Sequence, residues 1–335
     1  MKHIINRRYW WFAFSALLIL PGLYFLLLHP LVTTGRPGIG LRPSIDFTGG
    51  AIWELHFLEQ QPSADEVAQI FAEQGFDGAL VQLSRAETAA GEVNAAIVRT
   101  KALSIESPEA DQQRVLDALS ARYGSVERAR LDTVGAILSG ESTRNAIIAV
   151  AGATLAIMLY LWWAFRKAPN PIRYGVCSVV AMLHDVILMI GLAALLGVFF
   201  AVEVDVLFVT ALLTILAFSV HDKIVIFDRI RENLLKRHPS ESFDDLVNRS
   251  VVQTLPRSIN TQLTPLFTLT ALLLFGGATI RNFVIVQLIG LISGTYSSIF
   301  IAPQLLVMWE HHEWKSWFGR GRGRDEREEA RAAVG

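Results

Sequence analysis

The sequence predicts a polytopic α-helical membrane protein of six spans, with one small extracytoplasmic α+β domain between the first and second. Three observations carry that fold class. Hydrophobic residues make up 52% of the 335-residue chain and charged ones 18%, and the mean hydropathy is +0.39. Apolar runs near the ~18–20 residues that cross ~30 Å of hydrocarbon recur along the chain. They fall at about 10–28, 144–165, 174–197, 205–227, 261–278 and 283–308. Residues 29–143, by contrast, are polar and of ordinary globular composition.

The first run follows Lys2, Arg7 and Arg8, as a signal peptide would. It is too long for a signal h-region and no A-x-A cleavage site follows, so it reads as a retained signal anchor. Pro21 and Gly22 should kink it, which membrane helices tolerate. Lys and Arg near the span ends set the orientation. With residues 1–9 in the cytoplasm, that side also gains Arg166, Lys167, Arg173, the 228–260 loop with its six Lys and Arg, and the tail 309–335. The other side has no Lys or Arg at 197–203 and only Arg281 in the last short loop. Both termini are therefore expected inside. Trp10, Trp11, Trp162, Trp163 and Trp309 fall at span ends, where indoles favour the headgroup layer.

In the polar domain, at about 42–135, Ala51–Phe57 reads as a strand. Ser63 then opens a helix, with Glu66 completing a capping box, Val67, Ile70 and Phe71 on one face, and Gly75 as the stop. Strands follow at Ala79–Leu83 and Val93–Thr100 around a polar turn, Thr88–Glu92. Ser107-Pro108 opens a second helix with Val115, Leu116 and Leu119 inward, and Ser125–Val134 closes as a strand. The order β-α-β-β-α-β predicts a ferredoxin-like domain. It holds no nucleophile–base pair, metal spacing or phosphate loop. Asp46-Phe47-Thr48-Gly49-Gly50 lacks the Gly-Lys-Ser/Thr ending of a P-loop and reads as a tight turn into the first strand.

Function should rest on the charges kept inside the spans, each of which costs at least ~2.5–3.5 kcal/mol on insertion scales. His184 and Asp185 lie near the middle of the third span; His221, Asp222 and Lys223 lie toward the cytoplasmic third of the fourth, with Asp228 beyond. Neighbours on a helix point ~100° apart, so neither His-Asp pair faces one partner together, which argues against a two-ligand metal site. Glu203 and Asp205 read as interfacial. Asp222 is either a satisfied polar contact or a proton-binding carboxylate needing a cation from another helix. Arg257 leads as that cation, with Lys223 and His221 behind it. Asp185 is the second candidate carboxylate; His184, His221 and Thr261 are candidate relays. Gly290, Ser293, Gly294, Ser297 and Ser298 in the last span give close-approach spacing for helix packing. Gly276-Gly277 should end the fifth span and Pro265 should bend it. The single Cys177, inside an apolar run, excludes an intrachain disulfide and a cysteine-cluster metal site. A net charge of −1 gives no basic excess that would suggest nucleic acid.

With these positions placed, the chain resembles the SecF family of the SecDF accessory complex, within the RND superfamily. The resemblance runs from the first span to about Trp309. It is carried by Ile45–Gly50, by the run from Ser219 to Asn233, by Arg257-Ser258-Ile259-Asn260-Thr261 and by Gly294-Thr295-Tyr296-Ser297-Ser298. It implies a six-helix RND-type half that pairs with SecD and assists polypeptide leaving the SecYEG channel, driven by the proton-motive force. SecD, SecYEG and the translocating polypeptide are thus the implied partners, with YajC and YidC as further ones, and no cofactor is implied. The family's proton-linked carboxylate and arginine align with Asp222 and Arg257. The chain departs from the family at Ala217-Phe218 (usually Gly-Tyr), at His221 (frequently Asn) and at Pro265 (usually Thr). Two other classes stay open: an RND exporter of lipids or small molecules, and a proton-independent scaffold. Sodium would suit a carboxylate site about as well as a proton.

Overall fold

The computed structural model describes residues 4–35, 38–88, 91–103, 107–166, 170–200, 202–277 and 280–313. Lys2, Lys167 and the charged tail 319–335 lie outside them. Six helices among the described residues are long and apolar enough to cross a membrane: α1 (Ile5–Thr33), α4 (Ala136–Phe165), α5 (Pro171–Phe200), α6 (Val206–Leu235), α7 (Phe243–Phe275) and α8 (Arg281–Glu310). Between α1 and α4 lie β1 (Gly50–Phe57), α2 (Ala64–Glu73), β2 (Leu80–Thr88), β3 (Gly91–Thr100), α3 (Pro108–Tyr123) and β4 (Val126–Val134). The chain divides into two compact units, one of Met1–Arg42, Val150–Val202 and Leu207–Gly335, the other of Pro43–Ala149 and Glu203–Val206.

The smaller unit has the expected β-α-β-β-α-β order, in an antiparallel sheet ordered β2-β3-β1-β4. Alternation along β1 sends Ala51, Trp53, Leu55 and Phe57 inward, where they meet Val67 and Phe71 of α2 and Val115 and Leu119 of α3. Trp53 stands opposite Val98, and Leu55 opposite Ala96. Gly75 takes φ +92° and ends α2 in the left-handed conformation that a Cβ disfavours. The turn expected at Thr88–Glu92 is tighter: Thr88 and Glu92 are ladder residues, and the connection is 89–90, outside the described residues.

The capping box at Ser63 does not form. No side-chain bond caps α2, because Glu66 instead accepts from Tyr123 Oη at 2.9 Å and from Arg122 Nη2 at 3.1 Å, tying α2 to α3. Residues 46–50 are more than a turn. Ile45–Thr48 form one helical turn, with Ser44 Oγ accepting from Asp46 N at 3.2 Å. Gly50 has φ +129°, and a Cβ there would stand 2.6 Å from Thr100 O. Asp46 Oδ2 accepts from Val206 N at 3.2 Å, Ser44 N donates to Val204 O at 2.8 Å, and Glu203 pairs with Arg99 of β3. Glu203 thus packs with the small unit.

In the larger unit, α5, α6 and α8 form the interior, with 44%, 50% and 56% of their most apolar stretches buried, against 6–11% for α1, α4 and α7. Pro21 sits within α1, which widens into a π-helical turn over Tyr24–Leu28. The fifth span departs furthest from expectation. Hydropathy predicts a loop over 228–260, but α6 continues to Leu235 and α7 starts at Phe243, leaving 236–242 as the link. Hydropathy marks the stretch suited to lipid, whereas the helix continues as far as capping and packing support it. Ser242 Oγ accepts from Asp245 N at 3.1 Å, and Asp244 and Asp245 favour the positive helix start. Asn233 Nδ2 then donates to Ser250 Oγ at 2.8 Å and to Gln253 Oε1 at 2.9 Å, zipping the hairpin. Pro256 and Pro265 lie inside α7, and Gly276 follows its last residue.

Candidate functional site

The buried charges inside the long helices, Asp185, Lys223 and Asp222, sort into two groups. In the first, α6 carries Ser219 and Lys223 one turn apart, so both side chains share a face. That face meets Asp185 of α5 and Ser297 of α8. Lys223 is fully buried and Asp185 is 1% exposed. Lys223 Nζ donates to Asp185 Oδ2 at 2.8 Å, to Ser297 Oγ at 3.1 Å and to Ser219 Oγ. Ser219 Oγ and Ser297 Oγ donate in turn to Asp185 Oδ2 at 2.5 and 2.7 Å. The three N–H groups of an ammonium thus find three acceptors.

His184 completes this group. Its Nδ1 lies 3.1 Å from Asp185 Oδ1, and its Nε2 meets Ser15 Oγ of α1. Since the carboxylate only accepts, Nδ1 carries the hydrogen that faces Asp185. The ~100° offset holds for the backbone directions, and His184 and Asp185 do reach different helices. Side-chain length nevertheless brings the two together, which the offset alone does not anticipate.

The second group is simpler. Asp222, 2% exposed, accepts from Gln262 Nε2 of α7 at 2.7 Å. Gln262 is itself buried; among the described residues its Oε1 has no hydrogen-bond partner, and Ser258 Oγ one turn earlier is also buried without one. The expected partner, Arg257, does not close on Asp222: no ion pair joins them among the described residues. Arg257 is exposed on α7, yet within electrostatic reach of the carboxylate. Asp222's direct partner is therefore an amide, because position 262 faces α6 and position 257 does not. Thr261 is also exposed, and its Oγ1 is used on Arg257 O at 2.9 Å. His221 lies on the exposed side of α6. Asp228 is exposed and pairs with Arg231 at 2.7 Å.

Small residues let these helices approach. A Cβ on Gly290 would fall 2.1 Å from Ile215 Cδ1, and one on Gly294 would fall 3.1 Å from Ser219 Cβ. Ser298 Oγ donates to Ser219 O at 3.1 Å. The α6–α8 seam thus sets Ser219 and Lys223 where they meet Asp185. A second close approach, unmarked in the sequence, joins Gly22 of α1 and Gly191 of α5, where a Cβ on either would stand within 2.9 Å of the other's backbone. No group of three or more His, Cys, Asp or Glu able to hold a metal occurs among the described residues.

At one end of the bundle, Arg8 pairs with Asp244 at 3.2 Å and with Glu313 at 2.5 Å, and His311 with Asp244 at 2.5 Å. These join the starts of α1 and α7 to the end of α8.

The model of the protein export membrane protein SecD/SecF C-terminal family matches residues 114–312. The protein translocase subunit SecF of Thermobaculum terrenum is 44% identical, over 96% of this chain and 98% of its own length. The chain belongs to the SecF family. The SecF subunit of Anaerolinea thermophila is 42% identical over the same shares. Among solved structures, SecDF of Thermus thermophilus, described as a translocon-associated membrane protein, superposes with a TM-score of 0.70 at 31% identity. That match covers 92% of this chain but 38% of the SecDF chain, so the SecF-family fold seen here is one part of a longer protein there. Membership in the SecF family and the six apolar helices make the chain a multi-pass membrane component of protein transport.

Proposed function

We propose that the chain uses the proton-motive force to assist Sec-dependent protein translocation across the cytoplasmic membrane, with Asp222 as the group that takes and releases the proton. The supporting observation is the contrast between its two buried carboxylates. Asp185 accepts from a lysine, two hydroxyls and a histidine, a set that holds an anion in place. Asp222 is nearly as buried, but its hydrogen bond comes from one neutral amide. A buried carboxylate with so little compensation is the one that gains from binding a proton. Asp185 and Lys223 form the fixed pin of the bundle; Arg257 supplies a field at Asp222 rather than a contact. The Lys/Arg asymmetry supports both termini in the cytoplasm and the small domain outside.

The subunit acts without cleaving bonds, beside SecD, the SecYEG channel and the emerging polypeptide, with YajC and YidC as further neighbours. SecD-like helices would cover the faces of α4 and α7 that this chain leaves exposed. Asp222→Asn, expressed at the normal level, is expected to abolish the part of export that responds to an imposed proton gradient in inverted vesicles. Separate proton and sodium gradients identify the ion. Unchanged proton-dependent export in D222N would rule the mechanism out.

A further inference from the structure

Gln262 is the residue that touches Asp222, and half of its amide has nothing to do. Its Nε2 donates to Asp222 Oδ2 at 2.7 Å, while its Oε1 is buried with no hydrogen-bond partner among the described residues. A buried acceptor left unmade costs about 1–3 kcal/mol, so an orphan of this kind asks for an explanation. An ionised carboxylate offers no hydrogen and forces the amide to present its N–H. Once Asp222 is protonated, its new O–H is a donor standing beside that orphan oxygen.

We propose that Gln262 reads the protonation state of Asp222 by turning its side-chain amide over. With Asp222 ionised, Gln262 N–H donates to Oδ2. With a proton bound, the Asp222 O–H donates to Gln262 Oε1, and the link between α6 and α7 persists with donor and acceptor exchanged. No bond other than the carboxyl O–H forms or breaks. Two further features suit the turn. Gln262 borders a cleft of about 300 Å³ between α7 and α8, lined chiefly by apolar groups such as Leu266, Leu291 and Ile299, so it is not packed tight on every side. Gln262 also lies between Pro256 and Pro265. These prolines leave the carbonyls of Val252 and Thr261 without their helical donors, so this part of α7 is the easiest to bend. The charged and titratable groups around Asp222 are His221 and Lys223 on its own helix and Arg257 on α7. Lys223 is held by Asp185 of α5, so the amide is the neighbour free to respond.

The inference rests on the reading of Asp222 as the proton carrier, and infrared difference spectroscopy separates the two. Acid-minus-neutral spectra are recorded on the full chain with its SecD partner in membranes, with ordinary and ¹⁵N-labelled glutamine. The wild type should show a protonated-carboxyl band that Asp222→Asn removes, and a glutamine amide band that Gln262→Leu removes. In Gln262→Leu the carboxyl band should persist and move to the higher frequency of an O–H without an acceptor. Gln262→Met serves as a second variant should Gln262→Leu fail to assemble. A carboxyl band with no accompanying amide band, at the same frequency in the Gln262 variants, overturns the inference and leaves the proton reading standing. The absence of any Asp222 carboxyl band overturns both.

Discussion

Lys223 shows how a single residue's role can be hidden by its neighbour. It follows Asp222 in the chain, and a local reading makes the two partners. The ~100° between adjacent positions instead sends Asp222 to Gln262 on α7 and Lys223 to Asp185 on α5. Replacing Lys223 by Leu would strand the Asp185 charge in the interior. A loss of about 3–5 kcal/mol is expected, read as a lower thermal midpoint of the solubilised protein. The double variant D185L/K223L should recover most of it, since an apolar pair carries no unpaired charge. A K223L protein as stable as wild type would show that the pair is not a pin. In the small domain, Glu66 is held below its usual 4.5 by the Tyr123 hydrogen bond first and Arg122 second, while burial pushes the Tyr123 hydroxyl up. A folded value below the unfolded one gives stability that is complete above about pH 4.5 and lost as pH falls through the folded value. Tyr123→Phe should flatten that acid-side loss in a pH series of melting curves; an unchanged slope would mean Arg122 alone sets it.

At the level of elements, helix contacts divide into those the sequence announces and those it does not. Gly290, Gly294 and Ser298 stand four residues apart, so their spacing alone marks one face of α8 for close packing. Gly22 and Gly191 sit on different helices, far apart along the chain, with no spacing to reveal them. A methyl group at Gly22 would meet the Gly191 backbone at 2.8 Å, and backbone cannot move aside as a side chain can. Gly22→Ala should therefore cost about 1–3 kcal/mol, and more than Gly294→Ala, whose Cβ meets Ser219 Cβ at 3.1 Å. The comparison is made on melting midpoints, and equal shifts would remove the distinction. Helix ends follow the same division. The Gly75 stop is local and legible, but Ser63 and Glu66 form no capping box because Tyr123, 57 residues on, competes for the carboxylate.

For the whole molecule, orientation is the property most open to test. If the small domain lies outside, a cysteine at exposed Gln61 should react with a membrane-impermeant maleimide on spheroplasts. One at exposed His238, in the α6–α7 link, should react only after permeabilisation. Native Cys177 is buried and gives no background. The reverse pattern would invert the topology.

Six spans, the order of the small domain's elements and the depth at which charge is retained are all written in the chain itself. They follow from periodicity, run length and composition, which are properties of neighbouring residues. Which charge meets which is settled only by the packing of the helices. Asp185 takes Lys223, Asp222 takes Gln262, and Arg257 stays apart, because a buried charge is satisfied by whichever donors the facing helices bring within about 3 Å. That depends on how helices far apart in sequence are rotated and seated, and local pattern does not encode it.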